Sequence, residues 1–116
     1  MLNILSEQRY SDDKMYIKVH TTGERYGNRY VVAVCDEDLI GKRLKDDKYD
    51  ITVSERFYKG DKISEEKLII ILKEAINVNL IGEKSIEAGI KAGVIKKENV
   101  VKIKGVPHAQ AVTITF

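Results

Sequence analysis

The run Tyr30-Val31-Val32-Ala33-Val34-Cys35 is apolar at every position. Side chains of a β-strand point alternately to its two faces, so a strand written this way has to be covered on both. It is therefore predicted to lie in the middle of a sheet. Asp36-Glu37-Asp38 ends it abruptly. Upstream, Met15, Ile17, Val19 and Thr21 alternate with Tyr16, Lys18 and His20, the period of a half-buried strand. Between the two runs stand Gly23, Gly27 and Asn28, residues that accept the positive φ of turns. The two strands are expected to form a β-hairpin.

The rest of the chain alternates less cleanly. Tyr49 to Ser54 sets Ile51 and Val53 against Asp50, Thr52 and Ser54, a third strand. Phe57-Tyr58-Lys59-Gly60-Asp61 is a loop whose two aromatics anchor it to the body. Ser64 is an N-cap followed by Glu65 and Glu66 near the positive end of the helix dipole. Ile63 and Leu68 occupy the positions of a hydrophobic staple. That helix should run from Glu65 to Ile76, with Ile69, Ile70 and Ile71 widening its stripe so far that most of its circumference is covered. Asn77 to Gly82 is read as the break before a second helix, about Glu83 to Ala92, with Gly93 at its C′ position. Gly89 allows that helix a close neighbour. Val100 to Lys104 is a fourth strand, Gly105-Val106-Pro107-His108 a turn, and Ala109 to Phe116 a fifth strand.

The expected fold is thus α+β: a mixed sheet of about five strands, in the order β-β-β-α-α-β-β, carrying two helices. A three-layer α/β arrangement is the alternative, because residues 30–35 call for cover on both sides. With 116 residues, one domain and one core are the default. It is expected to span residues 14–116, behind an N-terminal extension at 1–13.

Lys and Arg number 20 against 18 Asp and Glu, a balance that argues against a polybasic arm but allows a local patch. Cys35 is the single cysteine, so no intramolecular disulfide forms, which suits a reducing cytoplasm. The longest apolar run, Leu68 to Leu72, has five residues, whereas a spanning helix needs about 20. No membrane association is expected.

Four blocks stand out: Val32 to Lys42, Phe57-Tyr58, Asn79 to Glu83, and Gly105 to Gln110. Together they resemble the signature of an archaeal family known only as a domain of unknown function, DUF424, over about residues 15–112. The resemblance implies an archaeal cytoplasmic protein of roughly this size. It brings no established activity, and residues 1–13 are an addition to the family's pattern.

No motif names a reaction. Cys35 at a strand end would need His108 or His20 as a base to act as a nucleophile; its alternative is a small buried hydrophobe. Asp36, Glu37 and Asp38 could offer oxygens to Mg²⁺ or end the strand and cap the next segment. His108 follows Pro107, on a turn stiff enough to display an imidazole as acid, base or ligand, or to tie it to a carbonyl. Zinc on Cys35, His20 and His108 lacks the usual ligand spacing, so neither a metal nor a cofactor is expected. Gly82-Glu83-Lys84-Ser85 opens a helix, where backbone N–H groups can hold an anion, without any phosphate-loop pattern.

Two function classes remain. In the first, the chain is a non-catalytic module binding RNA or a ribonucleoprotein in translation. Its cations would be Lys18, Arg29, Lys42, Arg43, Lys102 and Lys104, and its stacking surfaces Tyr16, Phe57 and Tyr58. In the second, Cys35, Asp36, Asn79, Gly82, Pro107 and His108 converge on the pocket of a small enzyme or ligand-binding protein. A protein-interaction subunit is a third possibility.

Overall fold

The computed structural model describes residues 13–22 and 29–113. Its strands are β1 (Met15–Thr22), β2 (Arg29–Asp36), β3 (Arg43–Lys45), β4 (Asp50–Thr52), β5 (Asp61–Ile63), β6 (Asn77–Ile81), β7 (Val101–Ile103) and β8 (Val106–Val112). Its helices are α1 (Glu55–Tyr58), α2 (Glu65–Glu74) and α3 (Glu83–Lys91), with short 3-10 turns at Glu37–Leu39 and Lys97–Asn99. Six strands form one sheet in the order β5-β1-β2-β6-β8-β7, and β3 pairs with β4 apart from it. Only the β2–β6 pairing is parallel; the others are antiparallel. The α+β class holds, with six strands in the sheet where about five were expected.

The predicted hairpin forms as β1 and β2, with Ile17 opposite Val34 and Val19 opposite Val32. β2 is central and buried on both faces, as its composition requires: Val32 and Val34 belong to one core cluster, Ala33 and Cys35 to the other. The first cluster lies under α2 and α3 and joins Met15, Leu68, Leu72, Leu80 and Ile86. The second joins Leu39, Leu44, Val53, Tyr58, Ile81 and Ile103. The covering of this second face comes from the β3–β4 hairpin and α1, so a third layer exists but is not helical.

α2 begins as expected. The Ser64 hydroxyl accepts a hydrogen bond from Lys67 N–H, and the staple residues Ile63 and Leu68 are both buried. Its stripe is narrower than predicted: Ile70 is 64% exposed and Ile71 39%. Leu68 and Leu72 alone, one turn apart, are fully buried on this helix.

Three further expectations are corrected. Asn77 to Ile81 is not a break between helices but β6, held between β2 and β8. Two asparagines and a following glycine resemble a turn locally, yet Val78, Leu80 and Ile81 bury in the two cores, and tertiary pairing overrides propensity. Pro107 and His108 lie within β8 rather than in a turn; the reversal is made at Lys104 and Gly105, both with positive φ. Tyr49 to Ser54 does supply a strand, but it pairs with β3 outside the main sheet. Residues 1–12 of the expected extension and the end of the expected fifth strand, 114–116, lie outside the described residues.

Candidate functional site

β2 ends at Asp36, whose side chain lies on the helix side of the sheet and is buried. Its carboxylate accepts from Lys84 N–H at 3.0 Å, Ser85 N–H at 2.9 Å and the Ser85 hydroxyl at 2.8 Å. The two backbone N–H groups are orphan donors at the start of α3. The N–H groups at Gly82–Ser85 that could hold an anion are taken by the chain's own carboxylate. Gly82 makes room for it. Its φ is +110°, and a Cβ there would sit 2.3 Å from the Asp36 carboxyl carbon. Gly82 N–H in turn donates to the Pro107 carbonyl.

Register brings the remaining candidates close together. Cys35 pairs with Ile81, and Ile81 with His108. Strands lie about 4.8 Å apart, so Cys35 and His108 are about 10 Å from each other, with a strand between them. That excludes a direct thiol–imidazole pair. Burial, then the neighbouring Asp36 carboxylate, pushes the Cys35 thiol up to about 12. A thiol so placed stays protonated and packs as a hydrophobe. Nor does zinc fit: among the described residues no three His, Cys, Asp or Glu side chains gather to hold a metal. Asp36, Glu37 and Asp38 diverge, Asp36 toward α3 and Glu37 toward Lys62 and Lys14.

Asn79 and His108 face the other side of the sheet. The Tyr58 hydroxyl donates to Asn79 Oδ1 at 2.6 Å. His108 Nδ1 donates to the Leu80 carbonyl at 2.9 Å. Burial lowers the His108 pKa and outweighs the carbonyl's opposite pull, so the imidazole is neutral. His108 lines a cleft of about 380 Å³ with Tyr49, Ile51, Asn99, Val101 and Gln110. Asn79 lines a groove of about 410 Å³ with Val31, Phe57, Asn77, Gln110 and Val112. Gln110 belongs to both, so the two run together along β8. Phe57 is held at the wall by stacking on His20, 4.7 Å between ring centres, and the His20 Nε2–H donates to the Phe57 carbonyl.

The six pocket candidates thus separate by face. Asp36, Gly82 and Pro107 secure the start of α3, Pro107 also bordering a cleft on that side with Lys102; Cys35 is core; and Asn79 and His108 border open space on the opposite face. Asn77, Asn99, Tyr49 and Gln110 were missed as site residues. The signal existed in the spacing Asn77-x-Asn79 and His108-x-Gln110-x-Val112, which puts each set on one face once both segments are read as strands.

The basic candidates do not form one patch. Lys18 donates to the Arg56 carbonyl, on the groove side of β1. Arg43 makes two hydrogen bonds to Asp50. Lys102 borders the opposite face, beside α3. Lys104 is in the β7–β8 turn and Lys42 is exposed before β3. The Arg29 side chain lies outside the described residues. Of the stacking candidates, Tyr16 lies under the Lys62 ammonium and Tyr58 is buried, leaving Phe57. No helix among the described residues is long and apolar enough to cross a membrane.

No curated protein matches the chain. A crystal structure of an uncharacterized conserved protein from Methanopyrus kandleri resembles it with a TM-score of 0.71 and 26% identity. That likeness covers 88% of this chain and 96% of the other. The family described as "Protein of unknown function (DUF424)" matches residues 24–114, a span that takes in β2 through β8 and every residue of the groove, and the chain belongs to that family.

Proposed function

We propose that the chain is a non-catalytic binding module that holds a single-stranded segment of RNA along the groove of its β6–β8 face. The observation that carries this reading is the chemistry of the lining. Asn77, Asn79, Asn99, His108 and Gln110 are neutral hydrogen-bonding groups, set between Phe57 and Tyr49, with no carboxylate or ammonium among them. Phosphate recognition calls for clustered Arg and Lys, whereas unstacked bases are read by carboxamides and aromatic faces. The scattered cations agree with a ligand read through its bases. Catalysis finds no support in the protonated, fully buried Cys35.

Fluorescence anisotropy with short labelled homo-oligomers of the four ribonucleotides tests this. Binding is expected at low salt, with a shallow dependence on ionic strength because few phosphates are neutralised. Asn79→Ala with Gln110→Ala should weaken it by about tenfold or more, the loss of one or two hydrogen bonds. No binding by any oligomer at low salt overturns the reading, as does undiminished binding by the double variant.

A further inference from the structure

Two polar groups in the groove have their polarity fixed from behind. Asn79 Oδ1 is engaged by the Tyr58 hydroxyl at 2.6 Å, a separation typical of O–H···O and short for N–H···O. The Asn79 carboxamide therefore turns its Nδ2 hydrogens to the groove, as a donor. Tyr58 is buried, and desolvation drives its phenol pKa upward, so it keeps its proton to give. His108 spends its Nδ1 hydrogen on the Leu80 carbonyl, which leaves Nε2 as an acceptor. Among the described residues no buried side-chain nitrogen or oxygen lacks a hydrogen-bond partner. His108 Nε2 has no protein partner among the described residues, and it meets solvent in the cleft. Asn79 and His108 are diagonal neighbours on β6 and β8, because Asn79 pairs with Gln110 and Ile81 with His108. Such diagonals lie about 7 to 8 Å apart, within reach of one planar ring laid between the side chains. Gln110, directly opposite Asn79, has no side-chain partner among the described residues and can turn either way.

We propose that Asn79 and His108 are the specificity-determining residues of the groove. They form a fixed donor and a fixed acceptor that admit a neutral planar base offering an acceptor to Asn79 and a donor to His108, with Tyr58 as the positioning residue. This rests on the RNA reading above and narrows it to recognition of the base's hydrogen-bonding edge. A base whose Watson–Crick edge is blocked loses one partner and leaves a groove residue unpaired.

The test takes the tightest-bound of the four homo-oligomers and compares it with the same oligomer methylated at the ring nitrogen of that edge. Methylation should weaken binding by about tenfold or more. Tyr58→Phe keeps the ring but frees the Asn79 carboxamide to flip. It should narrow the spread of affinities among the four oligomers, and an unchanged spread overturns the inference. A thermal melt of the variant reports folding separately. In the ¹⁵N spectrum of the free wild-type protein, the His108 proton should be on Nδ1. Equal binding of methylated and unmodified oligomers overturns the inference while RNA binding stands, and so does a proton found on Nε2. Failure of all four oligomers to bind overturns the RNA reading itself, and this inference with it.

Discussion

Asp36 caps a distant helix, accepting from the N–H of Lys84, 48 positions further along the chain. Three donors converge on its buried carboxylate, two of them the backbone N–H groups of Lys84 and Ser85. Asp36→Ala leaves all three without a partner and is expected to cost about 2 to 3 kcal/mol in urea denaturation. A cost below about 0.5 kcal/mol, the range of an ordinary surface change, would contradict this account. Cys35 is buried next to it with a thiol pushed up to about 12. A thiol reagent at neutral pH should label it only after unfolding, and prompt labelling of the native protein would show the site is open. His108 gives a pH dependence. Burial disfavours the imidazolium, so its folded pKa lies below the ordinary 6.5. The unfolded chain then binds the proton first, and the native state loses stability as the pH falls through that value and below. The melting temperature should drop between about pH 7 and about pH 5, and drop less in His108→Asn. An equal drop in the variant would refute the assignment. At this scale the sequence pointed to Asp36, Asn79 and His108 as worth locating. It could not show that Asp36 is spent on α3, because a cap supplied from another strand leaves no local spacing to read.

Helices and strands differ in how far they announce themselves. α2 has its cap, staple and acidic first turn in consecutive residues, and the predicted start at Glu65 is the observed one. β1 and β2 follow from period and composition alone. β6 does not: Asn77, Asn79 and Gly82 carry turn chemistry, and only the partners on either side make a strand of this segment. The same dependence on neighbours explains α2, where three isoleucines in a row suggested cover on most sides but Ile70 and Ile71 face outward. α3 shows the opposite case, a local feature read correctly. A Cβ at Gly89 would stand 2.5 Å from Leu80 Cδ1 and 2.9 Å from Ile95 Cγ1. Gly89→Ala should therefore destabilise the fold by about 1 to 3 kcal/mol through overpacking, although alanine is the better helix former. A stabilised variant would mean that α3 stands further from β6 than the structure has it.

Across the whole molecule, the double-sided burial of β2 determines the layering. One face takes α2 and α3, the other takes the β3–β4 hairpin and α1, and the uncovered remainder of the second face is the groove. Amide hydrogen exchange should follow that arrangement. The inner pairings of Val32 to Cys35 with Val78 to Ile81 should exchange last, and the short edge strands β5 and β7 first. Protection greater at β5 or β7 than at β2 would refute it. The parallel pairing has one more consequence, which concerns time rather than stability. Val32 meets Val78, 46 positions away, and everything from the first 3-10 turn to α2 lies in the loop that must close before they meet. The β1–β2 hairpin can zip as soon as its turn is made, but the sheet's centre has to wait for a distant segment. A chain leaving the ribosome would thus carry β2 with one edge unpaired until β6 has emerged, making this junction the step at which slow folding or mispairing between chains would arise.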